Sequence, residues 1–219
     1  MTEAHESKHT LETVMRFCAD IGLFALDRSR QASCVHATPF CAKTCFNRKL
    51  EAAFKGIEPK DVKNDAAWAE FDVEAFNAAW ARKRNTKRFR LCTRGEPIAT
   101  HIDAMKIEAL VKANPQTLFW IPTRAWHDSN LIDALMHLDG LKNVRLMLSL
   151  DPSDDADAVE YAVSTGISTM FYGDDDNHPL GNENAFYCRK TWKHEIGACK
   201  RCRFGCFHDS QKHVWLKQH

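Results

Sequence analysis

The stretch TLFWIPTRAWHDSNLIDALMHLDGLKNVRLMLSL, residues 117–150, reads as one complete βαβ unit. An apolar run (117–123) leads into a segment with helical spacing (128–140). That segment opens on an acid and a serine and closes on Gly140, as helix caps require, before a second apolar run (144–150). The pattern repeats on either side. RFRLCT (88–93) precedes HIDAMKIEALVKAN (101–114), and DDADAVEYAVSTG (154–166) precedes ISTMFYG (167–173). Upstream, IGLFALD (21–27) is an apolar run that ends at Asp27 and supplies a first strand. The later strands start about every 25 residues, the length of a compact βα unit. The expectation is an α/β fold with helices covering a parallel sheet. About five strands are too few for a closed eight-stranded barrel, so a partial, open βα barrel is expected over residues 20–180.

The flanking segments read as follows. Residues 11–19 (LETVMRFCA) suit a short helix, and NRKLEAAFKG (47–56) suits another that stops at Gly56. Pro59 and the polar run to Asn64 read as a loop. Residues 65–84 place Trp68, Phe71, Phe76 and Trp80 among alanines, which favours helix broken near Asp72.

The 219 residues suffice for one well-buried domain, 1–219, and are few for two. Hydrophobic residues at 44% and a formal net charge of +1 describe a globular protein with no wholesale attraction to nucleic acid or membrane. The first ten residues are polar and unlike a secretory signal, and no apolar run approaches a membrane span. A cytoplasmic location is therefore expected. In a reducing compartment the nine cysteines serve a metal or cluster better than disulfides.

Seven of those cysteines fall in two groups. Cys34, Cys41 and Cys45 read C-x6-C-x3-C, and Cys188, Cys199, Cys202 and Cys206 read C-x10-C-x2-C-x3-C. Cys18 and Cys92 stand apart in apolar surroundings, as buried structural thiols do. Four C-terminal thiolates could close a tetrahedral zinc site or hold a 4Fe–4S cluster, and a triplet with one distant partner is nearer to ferredoxin practice. His194, His208 and His213 could replace a cysteine but read more simply as exposed polar residues. The trio could hold a second cluster with one iron open, share a single cluster with the tail, or form a structural site completed by His36 or a remote residue.

In parallel βα folds, binding groups gather on loops at the strand C-termini. Those loops carry the trio, then Arg94–Glu96, Thr123–Arg124 with Trp126, Asp151, and Asp174–Asp176. The cysteine-rich tail (186–208) follows the last of them and is expected to fold over the same strand C-terminal face.

A three-cysteine loop directly after the first strand of a partial barrel resembles the radical S-adenosylmethionine (SAM) superfamily. TRGEP (93–97) is similar to that superfamily's Gly-Gly-Glu-Pro motif, with Arg94 in place of the first glycine, and SLDP (149–152) is similar to its fourth strand. The superfamily's cysteine loop is C-x3-C-x2-C, which this chain departs from. The resemblance implies that Gly95 and Glu96 contact SAM, with Glu96 orienting the methionyl amine, and that Arg124 and Asp151 face cofactor or substrate. Over most of residues 20–207 the chain also resembles cysteine-rich proteins encoded by bacteriophages. The shared features are the trio, the segment Arg90–Glu96, Thr123–Arg124 and the terminal cysteines. That resemblance implies fold and cluster, and a host cytoplasm as the location, rather than a reaction.

The run ARKRNTKRFR (81–90) could track a phosphate backbone through Arg82–Arg90, but reads more simply as a helix C-terminus followed by a solvated turn. Asp154, Asp155 and Asp157 suit a helix start. Asp174–Asp176 with His178 could bind a divalent cation or form a solvated loop. Trp120, Trp126 and Trp192 could shield a cluster or fill the core.

The expectation is thus a protein with one or two 4Fe–4S clusters, with SAM as a further cofactor if the chemistry is radical. Its substrate, small-molecule or macromolecular, is not legible. The alternatives are a non-catalytic or redox cluster protein that contacts nucleic acid or a host protein, and a structural zinc protein.

Overall fold

The computed structural model describes residues 15–18, 21–83, 87–173, 178–181, 185–193, 198–202, 206–207 and 213–217. Among them an eight-stranded open sheet runs in the order β1-β2-β3-β4-β5-β6-β8-β7. The strands are β1 (Met15–Cys18), β2 (Leu23–Leu26), β3 (Arg88–Leu91), β4 (Leu118–Thr123), β5 (Val144–Leu150), β6 (Ser168–Gly173), β7 (Phe186–Tyr187) and β8 (His213–Lys217). Every neighbouring pair is parallel except β1 with β2.

The five parallel strands expected from the sequence are β2 to β6, and three more extend the sheet at its edges. Residues 15–18, expected to be helical, form the edge strand β1, paired with β2 from Met15 opposite Leu26 to Cys18 opposite Leu23. Gly22, at φ 69°, donates its N–H to the Cys18 carbonyl at 2.8 Å and closes that hairpin. A β-branch-poor segment that reads as helix thus becomes a strand because a tight turn offers it an unpaired sheet edge.

Consecutive strand order with right-handed crossovers puts the connecting helices on one side of a sheet. Here α5 (Val73–Ala81), α6 (His101–Ala113), α7 (Ile132–Asp139) and α8 (Ala156–Ser164) all contribute to the larger core. Alternate strand residues meet them, including Phe89, Leu91, Phe119, Ile121, Leu146 and Leu148. Caps fit the sequence reading. Asp72 accepts from Glu74 and Ala75 at the start of α5, Thr100 and Asp103 form a capping box on α6, and Asp155 caps α8.

The opposite strand residues, Leu23, Trp120, Met147, Met170 and Val214, form a second, smaller core on the other face. The tail covers it, with Cys188, Cys206, Phe186 and Phe207 packed against it. This corrects the expectation that the tail folds over the strand C-terminal ends. A parallel sheet with helices on one side leaves an apolar stripe on the other, and burying that stripe draws the tail across the face.

The loop expected from Pro59 to Asn64 is instead helical, within α4 (Ile57–Ala69). Proline in a first turn forfeits only an N–H that has no intrahelical acceptor. Two of its residues, Asp61 and Asn64, are buried, and both are paired. Arg94 grips Asp61 through Nε–Oδ2 at 2.7 Å and Nη2–Oδ1 at 2.5 Å, and Asn64 donates to the Asp27 carbonyl at 2.9 Å. Arg94 also reaches Asp27 at 3.1 Å, and Arg28 pairs with Asp65 and Asp103, each at 2.9 Å.

Replacing Arg94 with methionine leaves Asp61 and Asp27 buried and short of a partner. We expect a loss of about 3–5 kcal/mol in chemical denaturation. Burial opposes ionisation of Asp27, but Arg94 and the Thr93 hydroxyl outweigh it and hold the carboxyl below its usual 3.8. The stability this contributes is complete above that value and lost as pH falls through the lower folded-state pKa. Denaturation midpoints between pH 6 and pH 2 should therefore fall more shallowly in R94M than in the wild type.

Candidate functional site

The two cysteine groups occupy different places. The trio stands at the strand C-terminal rim, as expected. Cys34 follows α1 (Arg30–Ser33), Cys41 lies inside α2 (Pro39–Thr44), and Cys45 separates α2 from α3 (Phe46–Ala53). Thr38 caps α2 by accepting from the Cys41 N–H at 3.0 Å, and its hydroxyl donates to Asp151 Oδ2 at 2.5 Å. The same Asp151 oxygen meets Arg124 Nη2 at 2.6 Å, and the positive charge of Arg124 partly offsets the burial that raises the Cys41 pKa. The loop after β2 is thereby tied to the ends of β4 and β5. Arg124 and Asp151, both predicted site residues, do face the trio. Thr38 was missed, and its signal was the Thr-Pro pair that opens a short helix.

Gly95 and Glu96 sit beside the same loop, where the structure gives both a packing task. Gly95 has φ 77°, and a Cβ there would lie 2.5 Å from the Arg28 carbonyl oxygen and 2.7 Å from the Ser33 hydroxyl. Glu96 is buried and accepts three hydrogen bonds, from the Thr123 hydroxyl at 2.5 Å, the Arg124 N–H at 2.9 Å and the Ile98 N–H at 3.1 Å. Burial raises its pKa to about 7 against the pull of those donors. A carboxylate offers about four acceptor positions, so one remains for a ligand amine. The Arg94 side chain, in the position of the missing glycine, is taken up by Asp61 and Asp27.

The trio's thiols sense one another. Burial first, then the charge of Glu96 and of Cys41, pushes Cys34 up to about 12, and burial also raises Cys41. His36 turns to the Ala99 carbonyl at 3.3 Å rather than completing the trio. Between the trio's loop and the start of α8, a cleft of about 470 Å³ is lined by His36, Thr38, His127 and Asp154.

The second group lines a cavity of about 290 Å³ on the sheet face away from the helices. Cys188, Cys199, Cys202 and Cys206 all border it, together with Arg88, Arg90, Trp120 and Phe207. Burial, then the charges of Cys188 and Cys202, pushes Cys199 up to about 11, and burial raises Cys206 strongly. Thiols in such surroundings stay protonated unless a cation or metal offsets the cost of the thiolate. Trp120 Nε1 is buried without a hydrogen-bond partner among the described residues.

Arg88 and Arg90 lie in the strand expected over 88–93, and they face this cavity rather than a phosphate backbone. Arg90 stacks over Trp120 at 4.1 Å and Arg88 over Phe207 at 5.2 Å. Trp126 lies in the helix-side core, and His213 meets the Thr169 hydroxyl at 2.9 Å. His194, His208 and Asp174–Asp176 lie outside the described residues. All nine cysteines are free, and Cys18 and Cys92 are buried. Among the described residues, no three His, Cys, Asp or Glu side chains stand close enough together to hold a single metal ion, and no helix is long and apolar enough to cross a membrane.

The family model described as Gene product 88 matches residues 2–208. The Gene 88 protein of Mycobacterium phage L5 is 27% identical over 151 residues, which cover 64% of this chain and 60% of that protein. The chain thus matches about three-fifths of that relative's length. No solved structure matches. The resemblance to phage-encoded proteins is borne out at the level of the family.

Replacing Thr38 with valine removes both the cap on Cys41 and the bond to Asp151. We expect a stability loss of about 1–2 kcal/mol and faster alkylation of Cys41, followed by mass spectrometry of peptides from the folded protein. An unchanged alkylation rate would count against the tie between the loop and the rim.

Proposed function

The chain belongs to the Gene product 88 family, and we propose that it is an iron–sulfur protein whose four C-terminal cysteines bind a 4Fe–4S cluster. The observation that carries this reading is the spread of Cys188, Cys199, Cys202 and Cys206 around a cavity of about 290 Å³. A lone zinc ion draws four thiolates to about 2.3 Å from one point. Thiols that surround a hollow suit a polynuclear cluster better than a point ion. Arginines in the cavity wall suit the negative charge of four thiolates. The cluster would supply one-electron chemistry, and the protein's part is to hold, orient and shield it.

Cys34, Cys41 and Cys45 are proposed to hold a second cluster with one iron left open. A finer reading on a partial-barrel architecture has SAM held at that position, where with a reduced cluster and an external reductant it would supply radical chemistry. What favours it is the trio's place after β2, with the Gly95–Glu96 turn and the Arg124–Asp151 pair on the same rim. In that reading Glu96 uses its remaining acceptor position for the methionyl amine, and Arg124 and Asp151 border the substrate. The phage relative supports action in a host cytoplasm as part of the same proposal.

Protein purified without oxygen should be brown, and iron and sulfide quantitation should return about four of each for every cluster held. C206S should lose the C-terminal share of both, whereas C41S should lose the rim share and keep the rest. Stoichiometric zinc with neither iron nor colour would replace the cluster reading with a structural zinc site. Reductant-dependent SAM cleavage would establish the radical reading. Colour without cleavage would leave a redox protein, and in that case salt-sensitive binding to DNA or RNA, lost on charge reversal at Arg82, Lys83 and Arg84, would point to nucleic acid as its partner.

A further inference from the structure

The C-terminal cavity carries more positive charge than the rest of the protein prepares for. The chain as a whole has a formal net charge of +1, yet Arg88, Arg90, Arg189, Lys190 and Arg201 all line this one hollow. No aspartate or glutamate among the described residues lines it. Most of these cations reach the cavity from the tail, but Arg88 and Arg90 are built into the sheet.

Arg90 is held from two sides. Its guanidinium carbon lies 4.1 Å from the Trp120 ring centre, and its Nε donates to the Cys92 carbonyl at 2.9 Å. Cys92 is itself the non-glycine residue with positive φ, 59°, among the described residues, and its N–H is tied to Leu26 at 2.8 Å. That unusual backbone turn aims the carbonyl at Arg90 and so locks the cation over the indole. A guanidinium remains charged even where it is buried, and it stacks on aromatic faces in a way that an ammonium does not.

We propose that Arg90, clamped between Trp120 and the Cys92 carbonyl, is a positioning residue that provides the fixed counter-charge of the C-terminal thiolate site and favours the reduced state of the group bound there. The inference rests on the cluster reading above. A 4Fe–4S cluster with four thiolates carries two negative charges when oxidised and gains a third with one added electron. A fixed positive charge nearby stabilises the more negative form.

The test is an equilibrium redox titration of the anaerobically purified protein, followed by visible absorption and electron paramagnetic resonance. Wild type, R90K, R90Q and the remote surface variant K112Q are compared. R90Q should disfavour reduction by on the order of tenfold, which is about 59 mV for a one-electron couple. R90K should recover most of that, and K112Q should match the wild type. A titration of R90Q that overlays the wild type overturns the proposal, as does an R90K value equal to that of R90Q. If R90Q does not fold, R88Q replaces it, with a smaller shift in the same direction expected and no shift overturning the proposal. Iron and sulfide missing from the wild type itself would instead remove the cluster reading, a failure visible before any variant is titrated.

Discussion

The buried ion-pair lattice at the ends of β2 and β3 is the constraint on which the rest of the structure depends. Asp27 closes β2 and accepts from Arg16, from Thr93 and from the backbone and side chain of Arg94. Arg94 in turn holds Asp61, while Arg28 holds Asp65 and Asp103. Single buried ion pairs contribute little net stability because desolvation offsets their attraction. What such a lattice supplies is register. It permits one relative placement of β1, β2, the turn after β3 and α4, and each alternative leaves a charge without a partner. The cysteine loop departs from the residue after this lattice, so the trio inherits its position from it.

A second constraint sets the other site. Side chains alternate along β3, so Phe89 and Leu91 enter the helix-side core while Arg88 and Arg90 emerge on the far face. The sheet is therefore not a neutral divider between the two cysteine groups. One strand supplies the basic wall of the tail cavity and, two residues later, turns through Cys92 into the rim that carries Gly95 and Glu96. A change in β3 would be felt at both sites, through charge on one face and through backbone position at the end.

The sequence was informative where periodicity and local chemistry agree. The five βα strands, the break at Asp72 and the rim position of the trio with Arg124 and Asp151 followed from patterns confined to short windows. Where tertiary partners override local preference, the reading failed. Residues 15–18 became a strand because a hairpin paired them, and the run 59–64 became a helical turn that buries Asp61 and Asn64, which Arg94 and the Asp27 carbonyl satisfy. The strand over 88–93 was legible, but the surroundings of its arginines were not. A cluster of arginines looks solvated in one dimension, and only alternation within a strand shows that Arg88 and Arg90 point inward to aromatic rings.

The tail is the most instructive of these cases. The spacing of its cysteines indicated what they could bind, but not where they would stand. Their location is decided by an apolar stripe made of Leu23, Trp120, Met147 and Met170, residues far apart along the chain. None of these is unusual in its own window, and together they form a surface that must be covered. The tail covers it by adding β8 beside β6, which sends Val214 into the stripe and leaves the cysteines around the hollow between tail and sheet. Hydrophobic closure therefore comes before ligand chemistry in building this site. The thiols are gathered on the sheet face by packing, and the arginines of that face are what can make four thiolates tolerable there.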